Sequence, residues 1–227
     1  MAGGGDRQAL SVLLAARSSA VNASTDAQRQ LFSLVITAPE SIRERFRGQK
    51  LPATIRTAAS MRLNAAWDVE TATTVVARPS LARRARTLAD EAAEHEKAIW
   101  VIMRSWRPDL LAQPGVGPIV AATCAPGPTP GRIHSEAAFA MLAGAAPIPA
   151  NSGTVTTRHR LNRYGDRQLN RALHTIVLSR IRYDDATRHY VARRTSEGKT
   201  NREIKRCLKR YIARDLYRIL ESAPARA

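Results

Sequence analysis

The stretch that decides the fold is residues 79–106, which read PSLARRARTLADEAAEHEKAIWVIMRSW. Apolar and small side chains recur there at alternating steps of four and three residues. The positions on this spacing are Leu81, Ala85, Leu88, Ala92, His95, Ile99, Ile102 and Trp106. Such a heptad spacing predicts a long helix that buries one stripe against another helix. Ser80 is the predicted N-cap of this helix and Pro108 its end.

A second long helix is predicted over residues 6–38, where Pro39 ends it because proline lacks an N–H and restricts the preceding residue. Two neighbouring stripes run along it, one through Leu10 and Leu31 and one through Ala20 and Ala27, and the pattern does not choose between them. Shorter helices are predicted at 41–47 and 52–61. Residues 1–107 are therefore predicted to form a helical linker and oligomerisation region. It is either an antiparallel hairpin or a coiled coil with a second copy, and a homo-oligomer is expected.

After Pro108 the sequence consists of short apolar pieces separated by Gly and Pro, and helices are predicted again after Asn162. Asp166 is a predicted N-cap, and Thr200 with Glu203 fits a capping box. A compact helical domain is predicted over 108–222, followed by a tail at 223–227. No convincing strand is predicted, since Thr154–Thr157 is the only β-branched run. The fold class is mainly α.

Charge is the strongest compositional signal. The chain carries 36 Lys and Arg against 19 Asp and Glu, a net charge of +17. Residues 158–220 contribute +12 of it and residues 1–157 only +5. A genome rich in Arg would raise the number of arginines but does not explain the shortage of acids. The asymmetry predicts binding to a polyanion, because cations that neutralise phosphates release counterions.

The sequence shows no sign of export or of a membrane span. No run approaches the roughly 18 apolar residues that cross a bilayer, and the N-terminus lacks the pattern of a signal peptide. A cytoplasmic protein is therefore expected. Cys124 and Cys207 lie far apart in helix-like apolar patterns, so they are predicted to be buried free thiols rather than a disulfide.

A turn that resembles the hairpin of a helix-hairpin-helix unit occurs at residues 110–122, LLAQPGVGPIVAA. Gly115, Val116 and Gly117 form its tip, and the amide groups at the start of the second helix are suited to hold a phosphate without reading base sequence. A plain interhelical turn is the alternative interpretation.

A serine in a glycine-bounded loop, Ser152, precedes a run of basic residues. The predicted nucleic-acid contacts in this run are Arg158, His159, Arg160, Arg163, Arg167 and Arg171. A serine that attacks a phosphodiester needs cations nearby to hold the phosphate and offset developing charge. The alternatives are an ordinary loop serine and a solvated basic face. No metal site is predicted, because the five histidines lack ligand spacing and Glu136 is the only carboxylate between Asp109 and Asp166.

The order of these motifs identifies a family. PGVGP, AGAAPIPANSG, RHRLNRYGDRQLNRALH, EGKT and RCLKRYIAR occur in sequence from about Leu110 to Leu220. This stretch resembles the C-terminal transposase domain of the insertion-sequence "one-ten" family, the IS116/IS110/IS902 transposases. Residues 6–107 resemble the helical, coiled-coil linker of that family more loosely.

The resemblance implies a mechanism and partners. In this family the serine just before a glycine attacks DNA and becomes covalently linked to it, and Ser152-Gly153 matches that position. Members act on DNA as oligomers, and at least some use a structured guide RNA. They also carry a ribonuclease-H-like N-terminal domain with four metal-binding acids. No such domain is found in this sequence, so Mg²⁺ is expected only together with that domain and no cofactor is expected in this chain.

Three hypotheses follow for the function. The chain is expected to be the C-terminal portion of such a transposase, present as a truncated copy, a fragment or a separately started frame, and associated with the bacterial nucleoid. The second hypothesis is a non-catalytic DNA- or RNA-binding remnant or regulator of transposition. The third is a basic structural protein on ribosomal or other RNA, which the Ser-Gly context disfavours.

Overall fold

A computed structural model describes residues 3–62, 67, 69–125, 133–149, 159–162 and 164–222. Within these residues the chain is almost entirely helical, which confirms the predicted mainly α fold. The α-helices are α1 (Gly3–Ile36), α2 (Glu40–Arg43), α3 (Leu51–Ser60), α4 (Val69–Trp106), α5 (Pro108–Leu111), α6 (Pro118–Cys124), α7 (Glu136–Leu142), α8 (Arg167–Tyr183), α9 (Asp185–Ser196) and α10 (Asn201–Glu221). A short 3-10 helix (Glu44–Phe46) follows α2, and two strands, β1 (Pro147–Pro149) and β2 (His159–Leu161), lie between α7 and α8.

The chain divides into two compact units. One consists of Leu13–Lys97, and the other combines Met1–Val12 with Ala98–Ala227. Helices α1 and α4 each contribute residues to both units. The domain boundary predicted near residue 108 stays a prediction.

The unit Leu13–Lys97 is built on an antiparallel hairpin of α1 and α4. Arg17 of α1 pairs with Glu96 of α4 at 2.9 Å. Further along α1, the Ser24 hydroxyl donates to the carbonyl of Ala85 at 2.8 Å. Partner numbers fall along α4 as they rise along α1, so the two helices run in opposite directions. The hairpin prediction is confirmed, and the buried side of α1 draws on both predicted stripes. Its buried residues are Ala20, Ser24, Ala27, Leu31 and Val35.

The predicted start of the second long helix is wrong. Helix α4 begins at Val69, so Pro79 lies inside it and Ser80 is not its N-cap. Proline costs one intrahelical hydrogen bond, which disfavours an interior position. Here the flanking side chains of Val75 and Ala82 are buried in the core of the unit, and that packing holds the helix together across Pro79.

A hydrophobic core closes one end of this hairpin. Residues of α2, α3 and the 3-10 helix pack there against the facing ends of α1 and α4. Its buried members are Leu31, Val35, Ala38, Ile42, Phe46, Ala58, Met61, Val75 and Ala82. The short helices predicted at 41–47 and 52–61 therefore exist, and their apolar side chains explain why the chain folds back after Pro39.

The second unit is centred on α8. Helices α6, α9 and α10 pack against it, and α10 also packs against α7. Leu173 and Ile176 of α8 and Ile212 of α10 are fully buried. Both predicted N-caps are confirmed. Asp166 accepts from the amides of Gln168 and Leu169, and the Thr200–Glu203 capping box opens α10.

The absence of strands was a wrong prediction at one place. Strands β1 and β2 pair antiparallel, with Pro147 opposite Leu161 and Pro149 opposite His159. Each strand has three residues and β1 contains two prolines, so no alternating pattern marked them. The β-branched run Thr154–Thr157 lies outside the described residues.

The two cysteines are free thiols, as predicted. Cys124 is fully buried, and burial raises the pKa of its thiol to about 12. Cys207 is half-buried rather than buried. Across the described residues, no helix has the length and apolarity needed to span a bilayer.

Candidate nucleic-acid interface

A basic groove of about 930 Å³ lies on the second unit, between α8, α10 and the turn that precedes β1. Helix α8 contributes Arg167, Asn170, Arg171 and His174. The other residues that line it are Gly144, Ala145, Ala146, Pro147, Asn162, Gly165, Arg202, Lys205, Arg206, Cys207, Lys209, Arg210 and Tyr211. These residues include seven Lys or Arg and not one carboxylate.

The helical repeat explains why the cations face one space. On α10 the basic residues follow steps of three and four, and such residues share one helix face. The opposite face of α10 buries Ile204, Leu208 and Ile212 in the core. Burial of that apolar face therefore turns the basic face outward, across from Arg167 and Arg171 on α8.

Lys209 is one of the partly buried cations of α10. Its ammonium donates to Oδ1 of Asn170 at 2.8 Å. The amide of Asn170 in turn donates to the carbonyl of Ala143 at 2.7 Å, so the lysine is fixed to the turn before β1. Burial lowers the pKa of Lys209. The pKa of His174 is lowered by burial and then by the nearby charges of Lys209 and Lys205. An anion in the groove would relieve both effects.

Two glycines are in contact where the turn before β1 meets the segment before α8, namely Gly144 and Gly165. A Cβ added to Gly165 would lie 2.3 Å from the backbone nitrogen of Gly144 and 2.4 Å from its Cα. Gly144 itself has a φ of +62°, a conformation that favours glycine. The amide of Asp166 donates to the carbonyl of Leu142 at 2.6 Å beside this contact. The backbone of the turn before β1 thus crosses the backbone of the segment before α8 in close contact.

Replacing Gly165 with alanine is expected to destabilise the protein by about 3 kcal/mol, because a Cβ there overlaps backbone that cannot move away. The corresponding fall in Tm is on the order of 10 °C for a chain of this length, and thermal unfolding followed by circular dichroism measures it. Gly117→Ala is the control. A Cβ at Gly117 meets nothing within 4 Å, so its cost should stay below about 1 kcal/mol. An equal fall in Tm in both variants would contradict the close contact between Gly165 and Gly144.

The structure brings Arg167 and Arg171 into the groove, and both side chains are exposed there. His159 and Arg160 form part of β2, of which only the backbone is described. Ser152, Arg158 and Arg163 lie outside the described residues. Their predicted roles in catalysis and binding stay predictions.

The predicted turn between two helices is present at 110–122, between α5 and α6. Gly115, at the tip of this turn, has a φ of +76°. A Cβ added to Gly115 would lie 3.1 Å from Cβ of Ser179 on α8. Val116 is buried, whereas Gly117 is exposed. The side of the turn near Gly115 is thus packed against α8, and phosphate binding at Gly117 stays a prediction.

The donor set of the groove does not suit a magnesium ion, which prefers oxygen ligands. Within the ranges that the structure describes, no group of three or more His, Cys, Asp or Glu side chains is placed to share a metal ion.

Sequence reasoning assigned Arg167 and Arg171 to the site but left out the α10 cations. These are Arg202, Lys205, Arg206, Lys209 and Arg210. Their helical spacing was visible in the sequence as the face opposite the apolar stripe. The sequence did not indicate that α10 packs on α8, and this packing places the two basic faces on one groove.

Two comparisons with known proteins found similar sequences. Residues 108–192 match the family model of the transposases of the IS116/IS110/IS902 family. The chain is also similar to the "Insertion element IS900 uncharacterized 42 kDa protein" of Mycobacterium paratuberculosis, with 33% identity over 151 residues. That alignment covers 65% of this chain and 37% of the relative. The chain thus spans less than two fifths of the length of this curated relative.

Proposed function

We propose that this chain, whose residues 108–192 match the family model of the IS116/IS110/IS902 transposases, works in DNA transposition as the C-terminal, DNA-binding part of such an enzyme. In this proposal the basic groove holds the nucleic-acid backbone and Ser152 is the nucleophile that attacks a DNA phosphodiester. The observation that carries the proposal is the groove of seven cations without a carboxylate among its lining residues.

The composition of the groove favours phosphate over other anions. Arginine supplies two parallel donors that match phosphate oxygens. Five of the seven cations in the groove are arginines, and four of these are exposed: Arg167, Arg171, Arg202 and Arg206. Several cations within one groove fit a ligand that carries several charges along its length. Small anions need only one or two.

Ser152 is connected to this groove by very little chain. It follows Pro149, the last residue of β1, by three positions, and three residues span at most about 11 Å. Pro147, the first residue of β1, lines the groove. In this proposal the segment that carries the serine reaches a phosphate held by the groove cations. The arginines would offset charge on the phosphate oxygens during attack.

The chain should bind duplex DNA with a steep dependence on salt. Each phosphate that a cation neutralises contributes about −0.9 to the slope of log affinity against log salt, so four contacts give about −3.6. Filter binding at several salt concentrations between about 50 and about 200 mM measures this slope. A slope near zero would overturn the proposed role of the groove.

We propose two further partners on the strength of the family. The first is a structured guide RNA, which shares its phosphate chemistry with DNA. The second is another copy of this chain, joined through the helical region. On the hairpin, Phe32, Ile36 and Val76 are each more than half exposed, and apolar side chains of this size on a long helix suit contact with another helix.

A further inference from the structure

The volume of the basic groove, about 930 Å³, is that of a site for a small molecule. The major groove alone of B-form DNA is about 12 Å wide and about 8.5 Å deep. A duplex is therefore too bulky to be taken into this volume and can touch only the exposed rim of the groove. We infer that the groove receives a single nucleic-acid strand, which rests on the proposed function only in taking the ligand to be a nucleic acid.

The dimensions of the groove match a short strand. The basic row on α10 runs from Arg202 to Arg210, which is about 12 Å at 1.5 Å per residue. At about 3.4 Å of rise for each stacked nucleotide, this row accompanies three or four nucleotides. The volume of about 930 Å³ lies at the upper end of the range for small-molecule sites. A segment of a few nucleotides fills such a space, and a duplex of the same length does not fit it.

Lys209 supplies the anchor for the strand at the floor of the groove. Among the described residues, its ammonium donates to one acceptor, the neutral side-chain oxygen of Asn170 at 2.8 Å. An ammonium group has three donors, and within the described residues Lys209 forms no ion pair with a carboxylate. A partly buried cation without an opposite charge is costly. A phosphate that pairs with Lys209 offsets this cost.

Tyr211 adds a surface that only an unpaired base can use. Its ring lines the groove and is 44% exposed, and Tyr190 supports it at 5.9 Å in an edge-on arrangement. Stacking of bases on aromatic side chains is a common feature of single-strand binding proteins. In a duplex the bases already stack on one another, so their faces are not available to Tyr211.

The test compares three probes with the full chain at one salt concentration. They are a single-stranded DNA of roughly 12 nucleotides, an RNA of the same length and sequence, and the corresponding DNA duplex, so that each strand covers the groove with flanking nucleotides on both sides. Fluorescence anisotropy gives the three affinities. We expect at least one single strand to bind about tenfold or more tightly than the duplex, and the DNA and RNA arms show which strand the groove prefers.

Variants connect that preference to the groove. Lys209→Gln and Tyr211→Ala should each weaken single-strand binding about tenfold while changing duplex affinity less than about twofold. Arg193→Gln and Tyr183→Ala, which alter an exposed arginine and tyrosine outside the groove, should leave both affinities unchanged. If Lys209→Gln disturbs folding, the result for Tyr211→Ala decides.

Two outcomes would overturn the inference. One is a duplex that binds as tightly as either single strand. The other is an equal loss of single-strand and duplex binding in the groove variants. In both cases the chain still binds nucleic acid, so the proposed function stands. The proposed function fails separately, if none of the three probes binds.

Discussion

Ser152→Ala is expected to abolish the covalent protein–DNA adduct that forms when this chain is mixed with the acidic N-terminal domain of a family member, guide RNA, donor and target DNA and Mg²⁺. The adduct is a phosphodiester between Oγ of the serine and DNA, formed as the 3′ or 5′ oxygen of the cut strand leaves with a proton. Without the hydroxyl no such bond can form, so the expected loss is complete. Denaturing gels with labelled DNA measure the adduct directly.

The chain without the acidic domain should form no adduct. Activating a hydroxyl and stabilising the leaving oxygen are tasks that metal ions perform in two-metal sites. Arginine offsets charge on phosphate oxygens, but with a pKa above about 12 it is a poor acceptor for the proton of a serine. The resemblance to the family assigns the metal-binding acids to the acidic domain.

A matched serine variant controls for the change itself. Ser196→Ala removes an exposed hydroxyl at the end of α9, whose Oγ donates to the carbonyl of Arg193, and it should leave the adduct intact. An adduct that persists in Ser152→Ala would refute the assignment of the nucleophile. If the complete mixture yields no adduct with the unaltered chain, the non-catalytic hypothesis for this protein is favoured.

Neutralising the rim of the basic groove should cost about three orders of magnitude in DNA affinity. The variant replaces Arg167, Arg171, Arg202 and Arg206 with alanine, and all four side chains are exposed. Four lost phosphate contacts reduce the salt slope by about 3.6, which at about 0.1 M salt corresponds to a factor on the order of 10³. Filter binding at low and moderate salt gives both the affinity and the slope.

A second variant with four substitutions distinguishes the loss of groove contacts from the loss of net charge as the cause of weaker binding. Arg182, Arg188, Arg193 and Lys199 are exposed and lie outside the groove. Their replacement by alanine lowers the net charge equally and should change the salt slope by less than one unit. Equal losses in the two variants would mean that the overall field of the protein, rather than the groove, binds DNA.

Local patterns predicted most of the helices in this fold because the information for a helix lies within a few turns. Asp166 and the Thr200–Glu203 pair marked helix starts, and the four–three spacing marked the buried side of α4. The start of α4 was misjudged at Pro79 because the stabilising contacts, between Val75, Ala82 and the rest of the core, come from distant parts of the chain. Propensity alone cannot weigh such contacts.

The candidate site was predicted only in part, because local sequence patterns do not report the packing of distant helices. Arg167 and Arg171 were found because they follow the Ser152 loop closely in sequence. The α10 cations lie some 30 to 40 residues further on, and only the packing of α10 against α8 brings them to the same groove. Nothing local indicates that packing, although the basic stripe itself was visible.

The crossing of Gly144 and Gly165 has a consequence for protein engineering. Because the contact is made by backbone alone, a larger side chain at either glycine would push the turn before β1 away from the segment before α8. A chimaera that takes its sequence between β1 and β2 from an IS116/IS110/IS902 transposase therefore has to keep both glycines.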